Sequence, residues 1–294
     1  MAALKIQELH RTAFAALMGG AVALLVCALH LAGALQPLEN IAYDLRFRRL
    51  ARPELASRDV VIIALDNASF ESPEMREYFG RWPWRRLLYA GLLYYLRQAP
   101  ARAIGIDVTF AGRDSNQGDD DKFAAQLAQR PDSVLAFSLV DSPGREKVEE
   151  AELPTDRWSV SNAGCGSRAL YGGIDLPLDS LSRKARGLGS TTVEPDSDGV
   201  LRQAPLLFRY RQHHYPAFAL ALAGPQLAWE RRVEYRCGSL LRPPSLRLGG
   251  RSFPLTAKGN LAVYWYGPRG RDYEYSFRHY PVWRIANSVA EMDA

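Results

Sequence analysis

Few side chains in this 294-residue chain fall in spacings that could do chemistry, and most of those that do are acids. Asp66 closes the apolar run DVVIIALD (Asp59–Asp66), and Asp107 sits late in a second run, AIGIDVTF (Ala103–Phe110). The carboxyl ends of parallel strands are where open α/β sheets bind ligands, so two acids converging there could hold a cation or a polar molecule. They could equally cap the turns that follow, or pair with Arg85, Arg86 or Arg202. Trp82 and Trp84 flank Pro83 in GRWPWRR (Gly80–Arg86). That spacing suits an aromatic ligand pocket, or packing of a loop and a helix start against a sheet. The segment EPDSDG (Glu194–Gly199) has part of a calcium loop's pattern, but Gly199 arrives too early and the twelfth-position acid is missing. A tight turn needs the same Asp and Gly residues.

Of five histidines, only the adjacent His213 and His214 invite a metal. Neighbours on a strand point to opposite faces, so one ion would not take both, and the pair reads as solvated loop residues. Cys165 and Cys237 have no zinc spacing; they could pair as a disulfide in an oxidising compartment, or remain thiols. The motifs GxSxG, HExxH, GxGxxG and the Walker loop are absent, and Gly187-Leu188-Gly189 lacks the Lys-Ser/Thr end of a phosphate loop. No cofactor or metal is expected. The net charge of +5 is spread, with Lys and Arg interleaved with Asp and Glu, which does not make the basic stripe of a nucleic-acid binder.

These residues depend on elements that must position them. From Arg11 to Glu39 no residue intervenes with a formal charge, and the stretch Ala13–Leu35 is apolar throughout except His30. At about 1.5 Å per residue it can cross a hydrocarbon core of about 30 Å. A cleaved signal peptide, with Lys5 and Arg11 as its basic region and Ala32-Gly33-Ala34 as its cleavage site, is the rival reading. Signal cores run about 7–15 apolar residues, and this stretch is longer, which favours an anchor. Basic residues lie on both sides, with Arg46, Arg48, Arg49 and Arg52 following the span, so charge alone orients it poorly. No second apolar run of spanning length occurs in the sequence.

Beyond the span, Pro37–Pro53 reads as a juxtamembrane helix. The β-branched runs at 59–66, 103–110 and 133–140 read as buried strands, separated by helices over 84–98 and 119–129. Such a β-α-β-α-β series predicts parallel strands. Residues 141–187 are richer in Gly, Pro and charge and read as a long insertion. Strands are expected again at 189–193, 200–211, 234–237, 246–248 and 261–266, with a short apolar helix over 216–223. The expected fold class is α/β: a mainly parallel buried sheet flanked by helices with a long insertion, preceded by one transmembrane helix.

Taken in order, these segments resemble the CHASE type-2 domain, an extracellular sensory module of bacterial receptors. The pieces that carry the resemblance are Tyr43-Asp44-Leu45-Arg46 after a membrane helix, the strand ending in Asp66, and Trp82-Pro83-Trp84-Arg85-Arg86 opening a helix. Gly105-Ile106-Asp107-Val108 with Phe110 follows, then Asp119-Asp120 before a helix. Asp196-x-Asp198-Gly199-Val200-Leu201-Arg202 with Pro205-Leu206, Tyr264-x-Tyr266-Gly267-Pro268 and Tyr275-Ser276-Phe277 complete the series. The resemblance spans nearly all of 37–285.

The resemblance implies a short cytoplasmic N-terminus (1–12), a span (13–35) and a periplasmic sensory domain (37–294) on a single-pass inner-membrane protein that catalyses nothing. Modules of this kind feed a cyclase or kinase after further membrane helices. Here the domain is expected to lack its last core strand and its output, so a separately encoded cyclase or kinase is an expected partner. The signal is not defined. A ligand, if bound, is expected at Asp66, Asp107, Trp82 and Trp84, while Asp44, Arg46, Pro83, Arg86, Gly105, Asp198, Gly199 and Arg202 are motif residues with structural roles. Gly19-Gly20-Ala21 gives the span a small-residue face suited to a homodimer. A membrane-anchored hydrolase is the alternative, and it would need a nucleophile–base pair or metal cluster among Asp66, Asp107, Asp196, Asp198 and the histidines.

Overall fold

A computed structural model describes residues 2–140, 159–160, 170–224, 233–239, 242–267 and 276–292. The chain divides into two compact units, Met1–Val61 with Trp265–Arg278, and Ile62–Tyr264 with His279–Ala294.

The first unit holds two helices, α1 (Ala2–Leu31) and α2 (Gln36–Leu50). Gly33, at φ 74°, turns the chain between them, so the apolar stretch is one helix only as far as Leu31. Its segment Thr12–Leu31 is 20 residues long and apolar enough to cross a membrane. Phe14, Leu17, Leu24 and Leu25 stand exposed, so nothing among the described residues takes their apolar surface out of water. Pro37 sits in the first turn of α2, where its missing N–H costs nothing, and the helix ends before Pro53. It covers most of the expected juxtamembrane helix.

The second unit opens with β1 (Val61–Ala64), α3 (Asn67–Glu71), α4 (Pro73–Phe79) and α5 (Arg86–Tyr95). Next come β2 (Ile104–Ile106), α6 (Gln117–Gln129) and β3 (Ser133–Val140). The middle of the unit contains β4 (Leu170–Tyr171), β5 (Gly173–Asp175), α7 (Asp179–Ser182) and β6 (Gly187–Ser190). After them run β7 (Gln203–Ala204), β8 (Leu207–Tyr210), β9 (His213–Pro216) and α8 (Phe218–Ala223). The closing elements are β10 (Glu234–Arg236), β11 (Ser245–Leu248), β12 (Arg251–Pro254), β13 (Leu261–Ala262), β14 (Arg278–Pro281) and α9 (Val282–Met292).

The core is built on β3. β2 pairs with it in parallel (Ile104↔Ser133 to Ile106↔Leu135), and so does β6 (Val134↔Gly187 to Phe137↔Ser190). Further along, β5 joins antiparallel, Ser138↔Asp175 to Val140↔Gly173. With neighbours of this kind the apolar run has no wet face, and Val134, Leu135, Ala136 and Phe137 are at most 1% exposed. Each large side chain buried this way is worth about 1.5–3 kcal/mol. Helix α8 lies against β2, β3 and β6. Its approach depends on glycine: a Cβ at Gly189 would stand 2.4 Å from Phe218 Cα and 2.9 Å from Phe218 N, backbone atoms that cannot swing away. At Gly105 a Cβ would meet Leu222 Cδ1 at 2.7 Å and Phe218 Cζ at 2.8 Å. Tyr89 of α5, Phe110 in the loop after β2, and Phe123 of α6 form an aromatic knot, with ring centroids 4.9 to 5.9 Å apart.

The mixed α/β class and the parallel β2–β3 pairing agree with the sequence. The single, mainly parallel sheet does not, because the strands fall into several small sheets. β1 pairs with β14 rather than with β2, and β8–β9, β7–β13 and β10–β11–β12 are antiparallel. The β11–β12 hairpin shows why. Gly249 and Gly250 both have positive φ (51° and 80°), the geometry of a two-residue turn that reverses the chain at once. The single expected strand over 200–211 is likewise two short ones, β7 and β8.

Candidate functional site

The site is assembled at the point where β1 ends. Asp66, in extended conformation, accepts hydrogen bonds from Ser69 N (2.9 Å) and Ser69 Oγ (2.7 Å) and so caps α3. Three residues on, the Ser72 hydroxyl accepts from Met75 N (3.2 Å) and donates to Glu74 (2.6 Å), with Pro73 opening α4. Ser69 is fully buried, and its hydroxyl also lies 3.4 Å from the N–H of Trp283, at the head of α9. Val282 and Ala286 of α9 are buried, and α9 packs on α3, α4 and α5. Helix α4 stops at Gly80 (φ 78°), whose N–H reaches back to Arg76 O at 3.1 Å.

After Gly80 the chain runs through Arg81 and a cis Trp82–Pro83 bond. Trp84 is 3% exposed and Trp82 is 48% exposed. The Phe70 ring stacks on Trp84 (4.9 Å, 22°) and meets Trp82 edge-on (5.5 Å, 75°), and the two indoles stand 5.5 Å apart at 82°. Phe70, Arg76, Gly80, Arg81, Trp82 and Trp84 line an open pocket of about 180 Å³. Trp82 and Trp84 are thus brought together, while Asp66 and Asp107 do not line it. Phe70, Arg76 and Arg81 were not singled out from sequence as pocket residues. The capping signals Asp66-x-x-Ser69 and Ser72-Pro73-Glu74 locate the two short helices that carry Phe70 and Arg76.

Asp107 lies beyond the end of β2, exposed on one side and without a hydrogen bond or ion pair among the described residues. Protein on its other sides strips enough water to raise its pKa. Arg85 and Arg86 serve other acids. Arg85 Nε donates to Asp119 Oδ2 at 2.7 Å. The Arg86 backbone N–H donates to Asp114 Oδ2 at 2.5 Å, its guanidinium to Gly112 O at 2.6 Å, and its Nε faces Asp120 Oδ1 at 3.5 Å. Asp120 Oδ2 accepts from Asp114 N at 3.0 Å, and Arg86 covers the Phe110 ring at 5.1 Å. Burial pushes the Asp114 carboxyl up. The backbone N–H groups of Asn116 and Arg86, the Ser115 hydroxyl and the Arg86 charge outweigh it, so its pKa falls below the usual range. This network ties the start of α5 to the loop after β2 and to the start of α6. Asp114 was not anticipated from sequence.

Arg202 is buried and takes both aspartates of the 194–199 segment. It reaches Asp196 Oδ2 at 3.1 Å and grips Asp198 through both oxygens at 2.9 and 2.8 Å. The Arg202 hydrogen bonds, then the Val200 N–H, hold Asp198 at about 2. Gly199 (φ 79°) donates to Asp196 O at 2.8 Å, so the segment is a tight turn. Among the described residues no three His, Cys, Asp or Glu side chains gather as metal ligands. His213 and His214 lie on β9 rather than in a loop, and burial lowers the pKa of His214. Asp44 and Arg46 lie on α2. Cys237 is disulfide-bonded, Cys27 on α1 is free, and Cys165 lies outside the described residues.

The pocket is thus lined by aromatic rings and two arginines, with helix caps and the Arg85/Arg86 network fixing the segments that carry them. Asp66 caps α3, and the Ser69 hydroxyl that it holds is fully buried, out of a substrate's reach; Asp196 and Asp198 are taken by Arg202. No curated protein and no solved structure matches the chain. The family model described as the CHASE2 domain matches residues 21–294, from within α1 to the end of the chain. CHASE2 is an extracellular sensory domain and is not itself catalytic. With nearly its whole length matched, the chain belongs to the CHASE2 domain family.

Proposed function

We propose that this chain is the ligand-responsive part of a bacterial signal-transduction receptor, held in the inner membrane by the apolar stretch 13–35, which is helical as far as Leu31. Residues 1–12 lie in the cytoplasm and 37–294 form the periplasmic sensory domain. The observation that carries this reading is the reach of the family match, which begins inside the apolar helix and so includes the membrane-proximal part of the chain. The covalent path supports it as well. α2 is followed in the chain by residues 51–60 and β1, and just past β1 lies Asp66, which caps the helix carrying Phe70 of the pocket. A ligand can bias the domain only by binding two poses unequally.

Cys165 pairs with Cys237 in this reading, and the periplasm sustains the bond. A second copy joins through Gly19 and Gly20, where added side-chain atoms would meet nothing within 4 Å. Crosslinking in membranes that yields monomers alone would count against that pairing. The test of the sensory reading is a thiol count. Protein taken from membranes with its thiols trapped, then denatured without reductant, shows one free thiol, Cys27. Three free thiols would place the domain in a reducing compartment and overturn the assignment.

A further inference from the structure

The pocket at Phe70, Trp82 and Trp84 carries a charge that restricts what it can hold. Arg76 and Arg81 line it, and neither guanidinium has a hydrogen bond or ion pair among the described residues. Among the described residues no carboxylate lines it. Aromatic faces alone would attract cations as well as flat apolar groups. Two unneutralised guanidinium groups at the same opening repel a cation and favour an anion, and arginine matches planar carboxylates with paired N–H donors. The rings set the other half of the selectivity. Trp82 keeps about half its surface open while its edge meets Phe70 and Trp84, so a flat group entering the pocket covers ring surface now facing water. There is room for a ring: a closed apolar cavity of about 150 Å³ holds one benzene, and this open pocket offers about 180 Å³.

We infer that the pocket binds a small organic anion, a single planar ring carrying a carboxylate, with the ring against Trp82 and Phe70 and the carboxylate at Arg76 and Arg81. This deepens the sensory reading and rests on it for its biological sense. It also departs from an acid-lined site, since Asp66 is occupied in capping α3 and Asp107 does not line the pocket. The Ser69 hydroxyl links this region to the first residues of α9, so filling the pocket bears on how that helix docks.

The test is a titration of the full chain in nanodiscs with benzoate, followed by tryptophan fluorescence. Benzyl alcohol and benzyltrimethylammonium serve as the neutral and cationic probes, and Trp82→Phe identifies the reporting indole. Benzoate is expected to give a saturable change that Trp82→Phe removes. The double variant Arg76→Gln/Arg81→Gln, at two exposed positions, is expected to bind at least tenfold more weakly with unchanged circular dichroism. The cation is expected to give no saturable change. Equal binding by the double variant, tighter binding of the cation, or no response to benzoate from folded protein would overturn the ligand class. Failure here with the domain still outside the cytoplasm leaves the sensory reading standing. Benzoate binding by a domain found inside the cytoplasm overturns the sensory reading alone.

Discussion

Asp107 and Asp198 are both acids of the family pattern, and their surroundings push them in opposite directions. Asp107 pays for lost hydration with no compensating partner, so its folded pKa is raised. A raised acid opposes folding once pH exceeds its unfolded value near 3.9, and that penalty grows until pH passes the folded value. Asp107→Asn should therefore raise the melting temperature at pH 7 and lose the advantage by about pH 3.5, below that unfolded value. A melting temperature that falls at pH 7 would mean the carboxylate has a stabilising partner. Asp198, held near 2 by Arg202, contributes stability above the unfolded value that is lost as pH falls toward 2. Residue-level legibility was uneven for the same physical reason. Acid–Gly spacing gave away the turn at Asp196–Gly199, and the capping alternative for Asp66 was legible. The partners of Arg85 and Arg86 were not, because Asp114, Asp119 and Asp120 lie about thirty residues away and meet them only through packing.

At the scale of elements, the contact between β6 and α8 is decided by one missing side chain. Gly189→Ala would put a methyl group 2.4 Å from the Phe218 backbone, so either the helix or the strand must move. Overpacking of this kind costs about 1–3 kcal/mol, and more where backbone must shift. The measurement is a denaturation midpoint beside that of Gly250→Ala, where positive φ strains the turn but no atom crowds the new carbon. Equal loss in the two variants would contradict the close approach of α8. Long apolar runs announced β3, apolar spacing announced α5, and the acids Asp119 to Asp121, suited to a helix N-terminus, announced α6. Pairing partners were not announced, since β1 and β14 are each four residues long and lie far apart in the chain. Helix α9 carried a usable signal that went unread: Val282, Ile285, Ala286 and Val289 repeat at i, i+3, i+4 and i+7, and Val282 and Ala286 are buried.

For the whole molecule, the account depends on which side of the membrane the CHASE2 domain occupies. The exposed apolar surface of Thr12–Leu31 calls for a hydrocarbon surrounding, yet the arginines after it leave its direction open on charge alone. Sidedness therefore decides whether the aromatic pocket can meet an external ligand at all. Val193 is 54% exposed and belongs to the second unit, which makes it a suitable reporter position. In a Cys27→Ala background, Val193→Cys should react with a membrane-impermeant maleimide in intact cells as fully as after lysis. Labelling that appears only after lysis would put the domain in the cytoplasm and contradict the account.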